Sequence, residues 1–262
     1  AMEATSATDF ENYNETSKSY DTTRTPTGLS DLLGFLAAAF PGKLSELDVA
    51  DLGCGTGNYV AFLHPLVRRV VGLDQNDGML RVASSKFAAV SNVTVVKGSI
   101  LSPPLPRASF DVVMLNQVVH HLETTATRVE GRFEGLLQAF SVAFELLRAG
   151  GVVVLNHQTR EQLRRAFWWA ALIPQARRRR IRLQAPLGTV LAHLRSVGFA
   201  RPRIAVPLLD VEQGNAYFEA RGPLHKTWRD GDSMWALASS HELERALTAV
   251  SRLDALGELE QF

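Results

Sequence analysis

Cysteine is almost absent from this 262-residue chain, where Cys54 stands alone. One thiol cannot close an intramolecular bridge, and such sparing use of cysteine fits a reducing compartment, so a cytoplasmic setting is expected. A thiolate nucleophile needs an activating base, and none stands beside Cys54, which reads as a small packing group in a tight turn. No apolar run reaches the roughly 18 residues of a membrane span. No basic region followed by an apolar one marks a signal peptide. No His/Cys/Asp/Glu grouping has metal-ligand spacing, so no metal is expected. The net charge is only +1 at pH 7. An overall positive field of the kind that nucleic-acid or membrane-surface proteins carry is therefore missing. Lysine is scarce as well, 5 against 23 arginines, a bias that reads as genomic composition.

What remains is ample for a globular protein: 46% of the residues are hydrophobic, enough for a full core. The chain is organised around residues 49–60, VADLGCGTGNYV. Val49, Ala50 and Leu52 read as a buried strand with Asp51 near its end, and Gly53, Gly55 and Gly57 follow at alternate positions before a helix opens. Glycines there permit positive φ and let a ligand approach the main chain. Position 58 is Asn, so the GxGxxG dinucleotide fingerprint fails, and no Lys-Ser or Lys-Thr follows to make a P-loop. A second apolar strand, residues 70–73, ends at Asp74, 17 residues after Gly57. A carboxylate at that strand tip can accept hydrogen bonds from both hydroxyls of a ribose diol.

These residues resemble the class I S-adenosylmethionine-dependent methyltransferases, most closely their small-molecule "type 11" group. The resemblance rests on D-x-G-C-G-x-G at 51–57, G-L-D at 72–74, Gly98-Ser99-Ile100, Phe110-Asp111-Val112-Val113, Val118-Val119-His120-His121-Leu122 and Leu147-Arg148-Ala149-Gly150-Gly151. It covers residues 10–160 well and the remainder in outline. It implies S-adenosyl-L-methionine as cofactor. It also implies an α/β Rossmann-like fold with a seven-stranded, mostly parallel sheet in the order 3-2-1-4-5-7-6, helices on both faces and the last strand antiparallel. Asp51, Gln75, Met79, Gly98, Ser99, Ile100, Asn116, Gln117 and His121 join the glycine loop and Asp74 as expected cofactor contacts. Ser99 stands where the family usually has an acid on the adenine amino group, and its hydroxyl can accept the same bond.

Taken in order, a segment at 9–28 carries Tyr13, Tyr20 and Arg24, the last two sharing a helix face. In the family such a piece with a Y-D-x-x-R core folds over the cofactor as a lid, so Arg24 is expected on the methionine carboxylate and Tyr20 in the pocket; the alternative is a surface helix. Helices are expected over 29–40, from 58, over 77–87, 126–147 and 187–197, and from 241; strands over 93–96, 110–115, 152–155, 204–207 and 233–238. Uniformly apolar strands alternating with helices mean a parallel sheet covered on both faces, with the ligand beyond the strands' carboxyl ends. Gly53, Asp74, Ser99, Asn116 and His157 fall at those ends and should surround one crevice.

Two insertions follow strand ends and should hang over that crevice. Residues 158–185 combine Trp168-Trp169 with basic residues at Arg177–Arg180 and Arg182; residues 208–232 hold Tyr217, Arg221, His225, Trp228, Arg229 and Asp232. With 9–28 they form a cap on a single domain spanning the chain, and Tyr13, Trp168, Tyr217, Arg221, His225, Trp228, Arg229 and Asp232 are the candidate acceptor contacts. An aromatic-lined, mostly apolar pocket for a small organic molecule is expected, with neither nucleic acid nor membrane as partner. Methyl transfer is an in-line displacement driven by alignment and exclusion of water. A base is needed only for an acceptor that keeps its proton, and His120, His121 and His157 are the candidates. Two other readings stay open: an RNA or protein methyltransferase using Arg177–Arg182, and a cofactor-binding scaffold without turnover. The oligomeric state is not legible.

Overall fold

Five strands make one parallel sheet in the order β3-β2-β1-β4-β5: β1 (Asp48–Leu52), β2 (Arg69–Asp74), β3 (Val93–Lys97), β4 (Phe110–Asn116) and β5 (Leu147–Asn156). The computed structural model describes residues 20–123, 131–165, 167–208 and 210–261. Tyr13, the first half of the expected lid and the start of the helix expected from 126 lie outside them. β1 is buried at every position and lies between β2 and β4, in register Val49 with Val70 and with Val112.

Because successive side chains leave opposite faces of a strand, each strand feeds two cores. Ala50, Leu52, Val71, Leu73, Val113 and Leu115 meet α5 (Glu134–Leu146) and α8 (Leu187–Val197) on one face. Val49, Val70, Val112 and Met114 meet α2 (Leu29–Ala39), α3 (Asn58–Leu63) and α4 (Asp77–Lys86) on the other. Caps fix the helices at the strand ends. The Asn76 side chain accepts the Met79 N–H at 3.0 Å to start α4. Buried Glu123 accepts the Leu136 N–H at 2.9 Å at the start of α5. α8 stops at Gly198, whose φ of 117° no β-carbon tolerates well.

The expected sixth and seventh strands are not formed. Residues 202–207 have no regular structure, and Ile204 and Val206 are 61% and 56% exposed, so their alternation does not reach a ladder. Ser233–Ala236 is a helical turn, α10, because the Asp232 carboxylate accepts the Met234 N–H at 2.8 Å and nucleates it. The apolar Met234 and Trp235 then go into a separate core and not against the sheet. The sheet thus has five strands in place of the seven that the resemblance implied, within the same α/β Rossmann-like class.

That separate core holds the region above the strand ends together. Trp169, Trp228 and Trp235 are buried with Leu163, Ile173, Ala176, Met234 and Ala246. The Trp169 and Trp235 rings stack with centroids 5.4 Å apart, and Trp228 meets Trp169 edge-on at 5.9 Å. It joins α6 (Arg160–Arg165), α7 (Pro174–Leu183), α10 and α11 (Ser240–Leu256). Glu242 of α11 accepts the Gln175 N–H at 2.6 Å and the Ala176 N–H at 3.1 Å, so one helix caps the next.

Candidate functional site

The loop after β1 is shaped by backbone conformation before any ligand is considered. Gly53, Gly55 and Gly57 have φ of 82°, 56° and 83°. A β-carbon on Gly53 would come within 2.6 Å of the Val118 side chain, and one on Gly57 within 2.5 Å of the Phe87 ring. At Gly55 the nearest atom is the Met79 sulfur at 4.0 Å, so only its backbone angle calls for glycine. Proximity to the protein's own side chains, as much as room for a ligand, explains the glycine density.

Asp74, at the tip of β2, braces this loop. Its carboxylate accepts the Gly55 N–H at 2.9 Å with one oxygen and the Asn76 N–H at 2.8 Å with the other. Burial pushes its pKa up, while the backbone donors at Asn76, Gly55 and Gln75 oppose the shift. Gln75 itself is exposed. Asp51 of β1 is fully buried and accepts the Asn116 Nδ2 donor from β4 at 2.9 Å. Its other oxygen, and the Asn116 carbonyl oxygen, are buried with no hydrogen-bond partner among the described residues. Burial raises the Asp51 pKa to about 7, with the negative Asp74 adding to the rise and Asn116 opposing it. Met79 and Ile100 are buried behind the loop, and the Ser99 hydroxyl accepts the Leu101 N–H at 3.2 Å. Gly98 sits where a β-carbon would lie 2.6 Å from Pro104.

A strap runs from α1 (Tyr20–Thr23) to Gly28 and ties the sheet to the upper core. Asp21 bonds the Thr56 hydroxyl of the glycine loop and pairs with Lys86 at 2.8 Å. Arg24 pairs with Glu212 and, at 3.5 Å, with Asp232. The Thr25 N–H donates to the Glu212 carbonyl at 2.9 Å. Thr27 exchanges two hydrogen bonds with the Tyr59 hydroxyl, at 3.0 and 3.1 Å. Asn156, at the end of β5, donates to both Thr27 and Tyr59, and accepts from Gln117, whose φ of 52° turns it toward β5. Burial drives the Tyr59 hydroxyl up to about 12, which keeps it a neutral relay in this network.

Beneath the strap lies a cavity of about 20 Å³, room for roughly one water molecule. Tyr20 and Arg24 of the strap line it together with Gln117, His120, Gln158, Arg180, Glu212, Asp232 and Ser233. The His120 and His121 rings are tilted 42° to each other with centroids 3.9 Å apart, and both are buried. Burial lowers the His120 pKa well below the ordinary histidine value, and the positive Arg180 and Arg24 with the neighbouring histidines add to it. His157 is lowered for the same leading reason, and its Nδ1 lies 2.9 Å from the Gln158 carbonyl. Burial and Asp232 raise Glu212, against Arg24 and Arg180.

Tyr20, Arg24, Gln117, His120 and Asp232 were named from the sequence as site candidates; Gln158, Glu212 and Ser233 were not, and Arg180 was named only within the basic run. The signal for Arg180 was there: with Ala176 and Leu183 it sits at helical spacing on the buried face of α7, whereas Arg178 and Arg179 point outward. Of the acceptor candidates among the described residues, Asp232 lines this cavity and the others do not. Trp228 is in the tryptophan core, where its ring N–H donates to the Ala216 carbonyl at 2.7 Å. The Trp168 ring N–H donates to the Tyr217 carbonyl at 2.8 Å. Arg229 donates to the Pro223 carbonyl at 2.6 Å, Arg221 is on the surface paired with Asp254, and His225 is exposed. Among the described residues no group of three or more His, Cys, Asp or Glu is placed to hold a metal, and no helix is long and apolar enough to cross a membrane.

Residues 50–155 match the family model described as a methyltransferase domain. The chain is similar to a probable S-adenosylmethionine-dependent methyltransferase of Mycolicibacterium smegmatis, 32% identical over 113 residues, 43% of this chain and 38% of that one. It is also similar to the demethylmenaquinone methyltransferase of Lactococcus lactis, 31% identical over 134 residues, 48% of this chain and 49% of that one. The matches thus span about half or less of those relatives' length. Its fold is similar to that of a putative methyltransferase from an antibiotic biosynthesis pathway of Anabaena variabilis, with a TM-score of 0.68, 20% identity and coverage of 90% of this chain and 89% of that one. The match to a methyltransferase domain thus lies over residues 50–155, and the fold of the chain as a whole is similar to that of a solved α/β structure.

Proposed function

We propose that the chain transfers the methyl group of S-adenosyl-L-methionine to a small-molecule acceptor and releases S-adenosylhomocysteine. The observation that carries this reading is the pair of buried oxygens on Asp51 and Asn116, without a partner among the described residues, at the ends of β1 and β4, beside the glycine loop and Asp74. Buried polar atoms cost free energy unless a partner satisfies them. A group with an ammonium and a ribose diol supplies donors for Asp51, Asn116 and Asp74, so the residues fit this cofactor. Gly53, Gly55 and Gly57 would carry its backbone contacts, with Met79, Ser99 and Ile100 on the side of the adenine. When bound, it supplies a methyl group already activated on a sulfonium. The chain's own residues then align the acceptor and exclude water, under the strap and the upper core.

A small acceptor is favoured over RNA or protein because the basic run of α7 is not one continuous face: Arg180 turns inward to the cavity, and Arg179 donates to the Leu237 carbonyl at 2.6 Å. Calorimetry with S-adenosylhomocysteine, followed by transfer of labelled methyl into a metabolite extract, tests the reading. Micromolar binding and a labelled small product are expected; no binding refutes it. Binding without any labelled product would favour the scaffold reading instead.

A further inference from the structure

Asn156, the last residue of β5, touches three parts of the molecule with one side chain. Its amide nitrogen donates to the Thr27 carbonyl of the strap at 2.7 Å and to the Tyr59 hydroxyl of α3 at 2.9 Å. Its amide oxygen accepts the Gln117 side-chain N–H at 3.2 Å. The strap comes so near that a β-carbon on Gly28 would lie 3.4 Å from the Asn156 nitrogen. An amide suits this set of partners: an acid has no N–H for the two oxygens, and a hydroxyl has one proton for both.

Gln117 joins this junction to the crevice. It follows Asn116, whose buried oxygen has no partner among the described residues, and it lines the cavity beneath the strap. Its φ of 52° is left-handed, a conformation that a non-glycine residue keeps only where its surroundings hold it. Asn156 holds it twice, through the side-chain bond and through its carbonyl, which accepts the Gln117 backbone N–H at 2.7 Å. The charged side chains of the strap are committed elsewhere in the chain, Asp21 to Thr56 and Lys86 and Arg24 to Glu212 and Asp232.

Resting on the methyl-transfer reading above, we propose that Asn156 is a positioning residue that couples the strap to the cofactor site. With its nitrogen held by Thr27, its oxygen is turned to Gln117 and fixes the end of β4 that carries Asn116. A ligand bound at Asp51 and Asn116 then stabilises the seated strap. The seated strap raises the affinity for that ligand by the same factor, because such coupling is reciprocal.

The test follows hydrogen exchange of amides 20–28 in the full chain with and without S-adenosylhomocysteine, beside calorimetry with the same ligand. In the unmodified chain the ligand is expected to raise protection about fivefold or more, the low end of coupling between sites. Tyr59→Phe removes one bond to the strap and leaves Asn156 on Thr27 and Gln117. It should lower protection, keep the response to ligand and hold the affinity within about twofold. Asn156→Ala should also lower protection, but reduce the response below about twofold and the affinity about fivefold or more. A tie that is merely structural would weaken the strap and leave the response as it is in Tyr59→Phe, and that result overturns the proposal. Asn156→Ser serves if the Ala variant loses the protection of β1 and β4 and so has not folded. Failure of the unmodified chain to bind S-adenosylhomocysteine would refute the methyl-transfer reading itself, whereas binding with no change in strap protection refutes only the inference drawn here.

Discussion

Asn116 donates to one oxygen of the Asp51 carboxylate at 2.9 Å and leaves the other oxygen buried with no partner among the described residues. The two residues are 65 apart in sequence and adjacent only because β1 and β4 pair in parallel. This contact governs a pH effect. The Asp51 pKa is raised from 3.8 to about 7 in the folded chain, mainly by burial. A raised acid contributes stability that is fully present below its unfolded pKa and is lost as pH rises through the folded one. The free protein should therefore lose stability from about pH 4 to about pH 7, by roughly 4 kcal/mol, because each tenfold change in an acid's ionisation constant is worth about 1.36 kcal/mol. Asp51→Asn should flatten that dependence in urea melts run across the window. In the unmodified chain, S-adenosylhomocysteine should bind more tightly across the same window, as an ionised Asp51 attracts its ammonium. A slope unchanged in the Asn variant would assign the pH dependence to another group.

Asp74 has two tasks that one variant does not separate and two variants do. Asp74→Ala removes the acceptor for Gly55 and Asn76 as well as any bond to a ribose, so both the melting temperature and the affinity should fall. The affinity loss is expected at about 1.5–3 kcal/mol, the range for hydrogen bonds to a charged group. Asp74→Asn keeps one acceptor oxygen and should recover most of the stability but little of the affinity. Calorimetry with S-adenosylhomocysteine beside a thermal melt reads both. If affinity is unchanged in a folded Ala variant, Asp74 has no part in binding.

The three loop glycines should not behave alike. Gly55→Ala meets only the cost of a left-handed backbone, about 1–2 kcal/mol, because nothing lies within contact of its β-carbon except the Met79 sulfur at 4.0 Å. Gly57→Ala meets that cost and a clash with the Phe87 ring as well, adding about 1–3 kcal/mol of overpacking. Shortening the ring with Phe87→Leu should recover part of the second cost and none of the first. Denaturant titrations rank the variants, and a Gly55→Ala variant as unstable as Gly57→Ala would contradict this division.

The sheet and its crevice were legible because their signals are local. Five apolar strands, the left-handed glycines and an acid at the tip of β2 each show in a window of a few residues. The upper region was not legible, because its determinants are contacts between distant positions. Ser233 to Ala238 alternates weakly enough to read as a strand, yet one Asx bond from Asp232 to Met234 makes it helical. Trp168 and Trp228 read as pocket walls from composition, but both rings pack in the upper core and donate their N–H groups to the Tyr217 and Ala216 carbonyls. Glu212 shows no motif at all; it matters because Arg24 reaches it across 188 residues. Arg180 was hidden by its neighbours, since a run of arginines reads as a solvated face unless helical spacing is imposed on it.

The strap from Tyr20 to Gly28 is expected to control access to the cavity. The cavity of about 20 Å³ is far below the roughly 300 Å³ at which small-molecule sites begin, so an acceptor cannot be admitted with the strap in place. Its ties are polar: Asp21 to Thr56 and Lys86, Arg24 to Glu212 and Asp232, Thr25 to the Glu212 carbonyl, and Thr27 to Tyr59 and Asn156. Arg24 is the one that reaches the upper core through two acids at once. Removing it leaves Glu212 and Asp232 facing each other without that guanidinium, so Arg24→Met should loosen the strap and leave the sheet intact. Hydrogen exchange is expected to show amides 20–28 at least tenfold less protected in the variant, with β1 and β4 unchanged. In the unmodified chain S-adenosylhomocysteine should raise protection of the same amides, since a lid is ordered by what it covers. Equal protection with and without the ligand would make the strap an ordinary surface segment. Access to the cavity would then have to come from the loop that carries Glu212.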